Sequence, residues 1–286
     1  MPTRPLTPAL ALVLAAALAI TLFPIFWIVM TALKPPTDWN AAPAIWVPSE
    51  PTLVNFQTLF DPDALRVYGV GGVSEAATGA VLGSLLASSI ATVLSVAIGL
   101  AAAIALSRYA TGGRFTPLAI LSGRMVPPAA MAVPFVIVFS SARLIDSYVG
   151  LVAIYVAVTL PFSTWMLKSF VDDVPREVEE AAMIDGRSRL SAHLTVTIPL
   201  IRGGLFATTL FIFILNWSEF LFALVLSYSS IETIPVRLAK YVTATAGTLF
   251  GVQAALAVIA MAPLVIAGFL IQKQLARGMT FGAVKR

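Results

Sequence analysis

Residues 9–33 run without a single charged side chain, and apolar stretches of similar length recur along the chain. A helix needs about 20 apolar residues to cross a bilayer core about 30 Å thick. Only 11% of the residues are charged and 59% are hydrophobic, whereas soluble domains carry about 25% charged residues. This composition excludes an ordinary soluble enzyme and a disordered chain, and it indicates a polytopic membrane protein.

The apolar stretches predict an all-α integral membrane protein with six transmembrane helices in a single domain over residues 1–286. The first stretch is longer than the apolar region of a signal peptide, and no convincing cleavage site follows it, so we expect it to be retained. Pro127, Pro128 and Pro134 are expected to interrupt the third span, and Pro161 the fourth. The predicted spans are about 9–33, 79–106, 116–140, 149–170, 203–226 and 249–272.

The distribution of basic residues predicts the orientation. With six spans, twelve of the 18 Lys and Arg residues fall on the side that holds both termini, five fall on the other side, and Arg124 lies within the third span. Cytoplasmic loops are enriched in Lys and Arg. We therefore expect both termini to be cytoplasmic, and the net charge of +4 needs no nucleic-acid partner to explain it.

Several kinds of catalytic or cofactor site are absent from the sequence. The chain has no cysteine and a single histidine, His193, which excludes disulfides, thiolate metal sites and cysteine nucleophiles. We expect His193 to have a structural role. No GxxxxGK[ST] pattern occurs, so a Walker-type ATP site is excluded. The sequence predicts no catalytic residue, no metal and no bound cofactor.

The segment 171–200, on the cytoplasmic side of the predicted topology, contains a short acidic helix. An Asp at the cap, Pro175 in the first turn and Gly186 at the end are helix boundary signals. The inner leaflet is negatively charged, and helices that rest on membranes are normally basic. This acidic helix is therefore better suited to docking on a protein than to resting on lipid. Six acids stand against the single base Arg176: Asp172, Asp173, Glu177, Glu179, Glu180 and Asp185.

The same segment resembles the EAA signature of the permease subunits of bacterial ATP-binding-cassette importers. Glu180-Ala181-Ala182 is followed by Gly186, and after nine residues by Val196-Thr197-Ile198-Pro199. The resemblance implies that this loop is the coupling helix, which sits in a cleft of a cytoplasmic ATPase subunit. We expect Ala181 and Ala182 to keep the contact face small and Glu180 to fix the loop or its docking surface. The implied coupling residues are Glu179, Glu180, Ala181, Ala182, Met183, Asp185, Gly186 and Pro199.

Further segments resemble carbohydrate importers, and in particular the MalG-like branch of the maltose-type family. Residues 103–108 (AIALSR) are similar to the end of the second span, 216–220 (NWSEF) to a WNEF-type segment, and 278–285 to the tail of that branch. Gly83 departs from the pattern, because Asn is common there. In the tail, Gly278, Thr280, Gly282 and Lys285 are the implied ATPase contacts.

This resemblance implies a type I importer permease fold in the bacterial inner membrane. It implies a second permease subunit, two cytoplasmic ATP-binding subunits that hold ATP and magnesium, and an extracytoplasmic solute-binding protein. The loop at 227–248 is the implied contact for that binding protein. The implied solute is a sugar or polyol; a peptide or phosphate permease and an ion-coupled carrier are the alternatives.

Three polar residues are candidates for the translocation path: Arg124, Asn216 and Glu219. A charge at the centre of the membrane costs roughly 2.5–3.5 kcal/mol on insertion scales, so Arg124 and Glu219 are expected to have polar partners. They could line a polar path for the solute, or they could form an ion pair between helices or reach toward the membrane surface. The sequence leaves these alternatives open.

Overall fold

The computed structural model describes residues 7–68, 75–113, 115–123, 126–243 and 247–282. The chain divides into two compact units. One contains the chain up to Thr78 together with Arg237–Ala262, and the other contains Gly79–Val236 together with the chain from Pro263.

Helices dominate the described residues. Two short 3₁₀ turns, Pro36–Asp38 and Ala64–Tyr68, flank α2, and a π-helical turn covers His193–Thr197. The strands β1 (Val242–Thr243) and β2 (Gly247–Thr248) form one antiparallel pair. The α-helices are α1 Pro8–Ala32, α2 Val54–Thr58, α3 Thr78–Tyr109, α4 Thr116–Ser122, α5 Pro128–Ser141, α6 Tyr148–Asp172, α7 Arg176–Ile184, α8 Arg189–Ala192, α9 Ile198–Leu200, α10 Arg202–Trp217, α11 Leu221–Leu226, α12 Ile234–Lys240 and α13 Phe250–Gly282.

Four helices in the described part of the chain are long and apolar enough to cross a membrane: α1, α3, α6 and the part of α13 from Phe250 to Leu270. A fifth is added if Arg189–Leu200 and Arg202–Trp217, which meet at 77°, count as one bent span. The predicted class of helical membrane protein is therefore confirmed with four or five apolar spans. The count of six stays a prediction.

Two predicted spans are divided. The predicted third span, about 116–140, is divided where its prolines were expected to interrupt it, because α4 ends at Ser122 and α5 begins with Pro128 at its first position. Proline lacks the backbone N–H that would continue a helix. The span predicted at 203–226 is divided between α10 and α11, and residues 218–220 separate them. Pro134 and Pro161 lie inside α5 and α6 and do not end either helix.

In the first unit, a side chain of α2 closes the end of α1. The Asn55 amide donates hydrogen bonds to the carbonyl oxygens of Ala32, at 2.9 Å, and Lys34, at 2.8 Å. The last carbonyls of a helix lack partners within the helix. Asn55 is fully buried, so it supplies those partners from within the fold.

In the second unit, small and hydroxylated residues let α3 and α6 approach closely. Ser95 Oγ and Thr159 Oγ1 share a hydrogen bond of 2.8 Å, and Ser163 Oγ donates to the Ser95 carbonyl at 2.7 Å. A Cβ on Gly99 would overlap the Ser163 hydroxyl. Small residues and interhelical hydrogen bonds hold helices together in lipid, where the hydrophobic effect does not distinguish helix from solvent. The α3–α6 pair is the frame from which the loop 173–201 extends.

Candidate functional site

The predicted acidic helix is present as α7, and it is nine residues long, or roughly 13 Å at 1.5 Å per residue. Its start differs from the prediction. Asp172 is the last residue of α6 and Asp173 follows it, whereas Pro175 is the residue before α7 and makes no side-chain capping bond. Glu177 and Glu179 lie in the first turn, where negative charge is favoured by the helix dipole.

The two sides of α7 have different environments. Glu179 and Ala182, three residues apart and therefore on one face, are buried, with 5% and 8% of their surface exposed. Glu180 and Ala181 are exposed. Ala182 thus packs inward while Ala181 lies on the exposed side, and the contact of either alanine with an ATPase subunit stays a prediction. Of the other implied coupling residues, Met183, Asp185, Gly186 and Pro199 are exposed.

Glu179, rather than the neighbouring Glu180, fixes the loop to the helices. Arg108 Nε, in the last turn of α3, lies 2.9 and 3.0 Å from the two carboxylate oxygens of Glu179. Both side chains are almost fully buried, with 6% and 7% exposed. Hydrogen bonds between two ionised groups are roughly twice as strong as neutral ones. Glu179 therefore makes charge-assisted bonds that hold the loop, and a role of Glu180 at the docking surface stays a prediction.

A second nitrogen atom of Arg108 binds the segment that leads into α7. Its Nη2 donates to the carbonyl oxygens of Val171, at 3.0 Å, and Val174, at 2.9 Å. In the opposite direction, Arg176 Nη2 donates to the Ser107 carbonyl at 2.8 Å. The end of α6, the start of α7 and the end of α3 are thus joined by side-chain to backbone bonds.

The segment that leaves the loop is tied to the same carboxylate. Thr197 Oγ1 donates to Glu179 Oε1 at 2.7 Å. His193 Nδ1 lies 3.4 Å from Thr197 Oγ1, and its Nε2 shares a 2.9 Å hydrogen bond with the Tyr109 hydroxyl. One assignment satisfies every group: Tyr109 donates to Nε2, Nδ1–H donates to Thr197, and Thr197 donates to Glu179.

We call Arg108, Glu179, Thr197 and His193 the Arg108 clamp. The expected structural role of His193 is confirmed by this buried position. His193 and Thr197 bound the π-helical turn, in which the Ile198 N–H bonds the His193 carbonyl. Single π turns occur frequently at functional sites. Sequence reasoning did not rank Glu179 above Glu180; what distinguishes them is Arg108 at the end of α3, 71 residues before Glu179.

Gly186 ends α7 as expected, and its backbone shows why. Its φ is +89°, a region that glycine adopts without steric cost. The Gly186 N–H bonds the Met183 carbonyl at 3.0 Å and the Arg187 N–H bonds the Ala182 carbonyl at 3.1 Å. This pair of bonds is a Schellman motif, the common glycine ending of a helix.

A cavity of about 240 Å³ lies beside the Arg108 clamp. Arg176, Arg189, Glu180 and Met183 line it together with clamp residues. Charged residues of both signs therefore surround a recess next to the exposed side of α7. Within the described ranges, no three His, Asp or Glu side chains gather closely enough to hold a metal ion.

The structure describes two of the three candidate path residues, Asn216 and Glu219, and each has hydrogen-bond partners within the chain. Asn216 is 1% exposed and donates from Nδ2 to Thr92 Oγ1 on α3, at 3.1 Å. Glu219 accepts hydrogen bonds from the backbone N–H of Phe222, at 3.1 Å from both oxygens, and of Ala223, also at 3.1 Å. It therefore caps the N-terminus of α11. Arg124 lies outside the described residues.

The predicted tail contacts fall mostly on a helix. Gly278, Thr280 and Gly282 belong to the backbone of α13, which extends beyond the predicted end of the last span near residue 272. Lys285 lies outside the residues that the structure describes.

Comparisons with known proteins show the family to which this chain belongs. Residues 95–281 match the family described as the inner membrane component of binding-protein-dependent transport systems. The chain is 32% identical to the diacetylchitobiose uptake system permease protein DasC of Streptomyces coelicolor, over 92% of this chain and 91% of that one. It is 36% identical to the trehalose/maltose transport system permease protein MalG of Thermococcus litoralis, over 64% of this chain and 67% of that one.

A solved structure shares the fold. The crystal structure of a bacterial ABC transporter involved in the import of the acidic polysaccharide alginate contains a chain that superposes with a TM-score of 0.74 at 19% identity, covering 95% of this chain and 99% of that chain. The family match covers the Arg108 clamp, α7 and Gly186, the region from which the resemblance was inferred. The protein therefore belongs to the binding-protein-dependent inner membrane components, the permeases of ABC transporters, and is a multi-pass transport subunit of the inner membrane rather than a catalytic one.

Proposed function

We propose that this chain forms half of the translocation path of an ATP-driven importer for a sugar or polyol, and that α7 docks on a separate cytoplasmic ATPase subunit. ATP hydrolysis takes place in that partner, with its own magnesium. The chain transmits the resulting motion to the membrane helices. A second permease subunit, a second ATPase subunit and an extracytoplasmic solute-binding protein complete the proposed assembly.

The division of α7 into two sides is the observation that supports this proposal most directly. The inward side is fixed by Glu179 and Ala182, whereas Glu180, Val178 and Ile184 are exposed, Ile184 at 86%. In the predicted topology this helix lies on the cytoplasmic side, beyond the reach of lipid tails. An exposed apolar residue on a short helix with a fixed orientation is suited to a protein partner. The acidic neighbours add electrostatic complementarity toward a basic cleft.

The carbohydrate class rests on the relatives. Both relatives described above are named for the transport of sugars, diacetylchitobiose in one and trehalose or maltose in the other. This supports the sugar proposal over a peptide or phosphate permease. In this proposal, the binding protein and the second permease determine which sugar is selected.

The two divided spans support a path on this chain. In the second unit, α11 packs on α5 through an edge-to-face contact of Phe135 with Phe222, with ring centroids 5.8 Å apart. A cavity of about 140 Å³ lies at the start of α5, with Pro128, Met131 and Pro161 in its wall. Interrupted helices at membrane depth are tolerated where they line a cavity. We propose that this cavity is part of the wall of the translocation path.

The experiment is reconstitution of the complete importer in proteoliposomes, with ATP inside and radiolabelled solute and binding protein outside. We expect uptake to require ATP and to persist when ion gradients are dissipated. We expect Glu180→Lys to abolish co-purification of the ATPase subunits. Glu50→Lys is the matched control, since Glu50 is also exposed but lies in the predicted outer loop.

Two results would contradict the proposal. Uptake by the purified chain alone, driven by a proton or sodium gradient, would identify an ion-coupled carrier. Equal ATPase binding by the parent and by Glu180→Lys would remove the docking role from the exposed side of α7.

A further inference from the structure

Three segments of the second unit meet at one buried guanidinium, and a fourth is joined to it through Glu179. Arg108 belongs to the last turn of α3 and bonds the carbonyls of Val171 and Val174, at the end of α6 and just after it. It also bonds Glu179 of α7, and Glu179 in turn accepts from Thr197 of the π-helical turn. The segment that enters the loop and the segment that leaves it are therefore both fixed to the end of α3.

The covalent backbone alone does not connect α3 directly to α7. α7 is joined covalently to α6 through three residues and to α10 through residues 185–201, so a motion of α7 reaches those helices through the backbone. Arg108 and Glu179 are 71 residues apart in sequence. α3 is linked to α7 through side chains, by the Arg108–Glu179 pair and by the bond from Arg176 to Ser107.

The clamp is suited to transmit motion because of its burial and geometry. The guanidinium is planar and its donors are fixed in direction, so bonds to a carboxylate and to two carbonyls define its orientation. With 6% and 7% of the two side chains exposed, water is largely excluded and the pair is little weakened by salt. Removing one partner leaves the other charge buried without its ionic partner, which is strongly destabilising. Separating the pair while both side chains stay buried is therefore costly.

We propose that Arg108 and Glu179 are positioning residues that make α3 move together with α7 when the ATPase displaces the loop. This inference rests on the proposed docking of α7. It adds α3 to the helices that move when α7 moves. Thr197 extends the same connection to the segment that leads into α10. The expected consequence of breaking the clamp is uncoupling: ATP is hydrolysed without the normal response to solute.

The test separates this role from a purely structural one. Arg108→Gln and Glu179→Gln are made singly and together in the assembled importer, with Thr197→Val as a milder variant. Each single charge variant leaves an unpaired buried charge and is expected to lower thermal stability and yield, whereas the double variant recovers most of both because no charge is left unpaired. The ratio of solute-stimulated to unstimulated ATP hydrolysis is expected to fall roughly tenfold in both single charge variants and in the double variant.

A distance measurement supplies a second readout that needs no ATPase. The chain has no cysteine, so Thr111→Cys and Glu177→Cys can carry spin labels without background in the full-length chain in lipid nanodiscs. We expect one narrow distance distribution in the parent and broadened distributions in the three charge variants. The control is Arg66→Ala with Asp63→Ala, which removes an exposed ion pair of the first unit and is expected to leave both the ATPase ratio and the distance distribution at parent values.

The outcomes distinguish this inference from the proposed function. A double variant with recovered yield, a parental ATPase ratio and a narrow distance distribution would show that the clamp is only structural. If Glu180→Lys still binds the ATPase while the clamp variants broaden the distance distribution, the docking proposal fails and the structural link from α3 to α7 stands.

Discussion

Gly83 of α3 lies directly against the backbone of Glu232, so close that a Cβ at position 83 would overlap the Glu232 carbonyl oxygen. The next residue, Ser84, accepts a hydrogen bond from the Ile234 N–H at 2.8 Å. Together these contacts bind the start of α3 to the segment that precedes α12. They also explain why position 83 holds a glycine, since any side chain there would meet this backbone.

Gly83→Ala is expected to lower stability by about 1–3 kcal/mol, the usual cost of forcing extra atoms into a packed site. The contact is with backbone, which cannot move aside as a flexible side chain can. Gly79→Ala, four residues earlier in the same helix, has nothing within 4 Å of its Cβ and is expected to be neutral or stabilising, because alanine is the better helix former. Tryptophan-fluorescence thermal unfolding in detergent compares the two; similar melting temperatures would contradict the close approach.

Asp146, in the turn between α5 and α6, is expected to hold the loop at 228–231. Its carboxylate accepts hydrogen bonds from the backbone N–H groups of four successive residues, of which Ser230, at 2.8 Å, is the closest. Asp146→Ala is expected to destabilise that loop by about 2 kcal/mol, the value for hydrogen bonds to a charged group. Faster hydrogen exchange at 228–231 is the expected readout, and unchanged exchange would contradict it. Asp146→Asn, which keeps one acceptor oxygen and tolerates the positive φ of 55°, should have a smaller effect.

The same carboxylate predicts a pH dependence. Burial raises the pKa of Asp146, but the hydrogen bonds from Ser230, Tyr228 and Ser229 outweigh burial and hold the pKa below its ordinary value. Stability from a lowered pKa is complete above the unfolded-state pKa of about 3.9 and is lost as the pH falls through the folded-state pKa. Protection of residues 228–231 should therefore be constant from about pH 8 to pH 5. Loss of protection already near pH 6 would contradict this assignment.

At position 186, we expect the backbone conformation, and not the size of the new side chain, to decide which substitutions are tolerated. Nothing lies within 4 Å of its missing Cβ, and its φ is +89°. Gly186→Val should disrupt the end of α7 and abolish uptake, because branched residues resist positive φ. Gly186→Asn should retain much of the uptake, since asparagine visits that region more readily. Uptake by both variants in the reconstituted importer tests this order; the reverse order would show that the site is limited by space.

Glu219 is expected to act as a helix cap. Glu219→Gln keeps one oxygen toward the N-terminus of α11, so it should lower stability by about 1 kcal/mol and leave uptake within roughly twofold of the parent. Glu219→Leu removes both acceptors and should cost more. If Glu219→Gln instead abolished uptake at an unchanged melting temperature, the charge itself would belong to the translocation path.

Local signals in the sequence were sufficient for several elements. Apolar length predicted α1, α3 and α6, because a bilayer fixes the length that a spanning helix needs. Gly186 predicted the end of α7, and Pro175 indicated the region of its start, although Pro175 precedes the helix instead of lying in its first turn. Both residues act through backbone geometry at a single position. The break before Pro128 followed from the same property of proline.

The remaining features depend on distant contacts. The choice between Glu179 and Glu180 is decided by the position of Arg108, which lies 71 residues away from Glu179, so no local pattern contains it. The break between α10 and α11 has neither proline nor glycine; its signal is an acidic residue before a new apolar run, which is typical of helix starts. That signal was available in Ser218 and Glu219, but the apolar residues on both sides of it predicted one continuous span.

The π-helical turn at His193–Thr197 constrains how this segment can vary. An ordinary α-helix advances about 100° per residue, so deleting one residue between His193 and Thr197 would rotate everything that follows by that angle. Thr197 would then face away from Glu179, while the sequence on either side still read as a good helix. Such a deletion would hardly change the composition of the segment. It would nevertheless change the direction in which the chain enters the predicted fifth span.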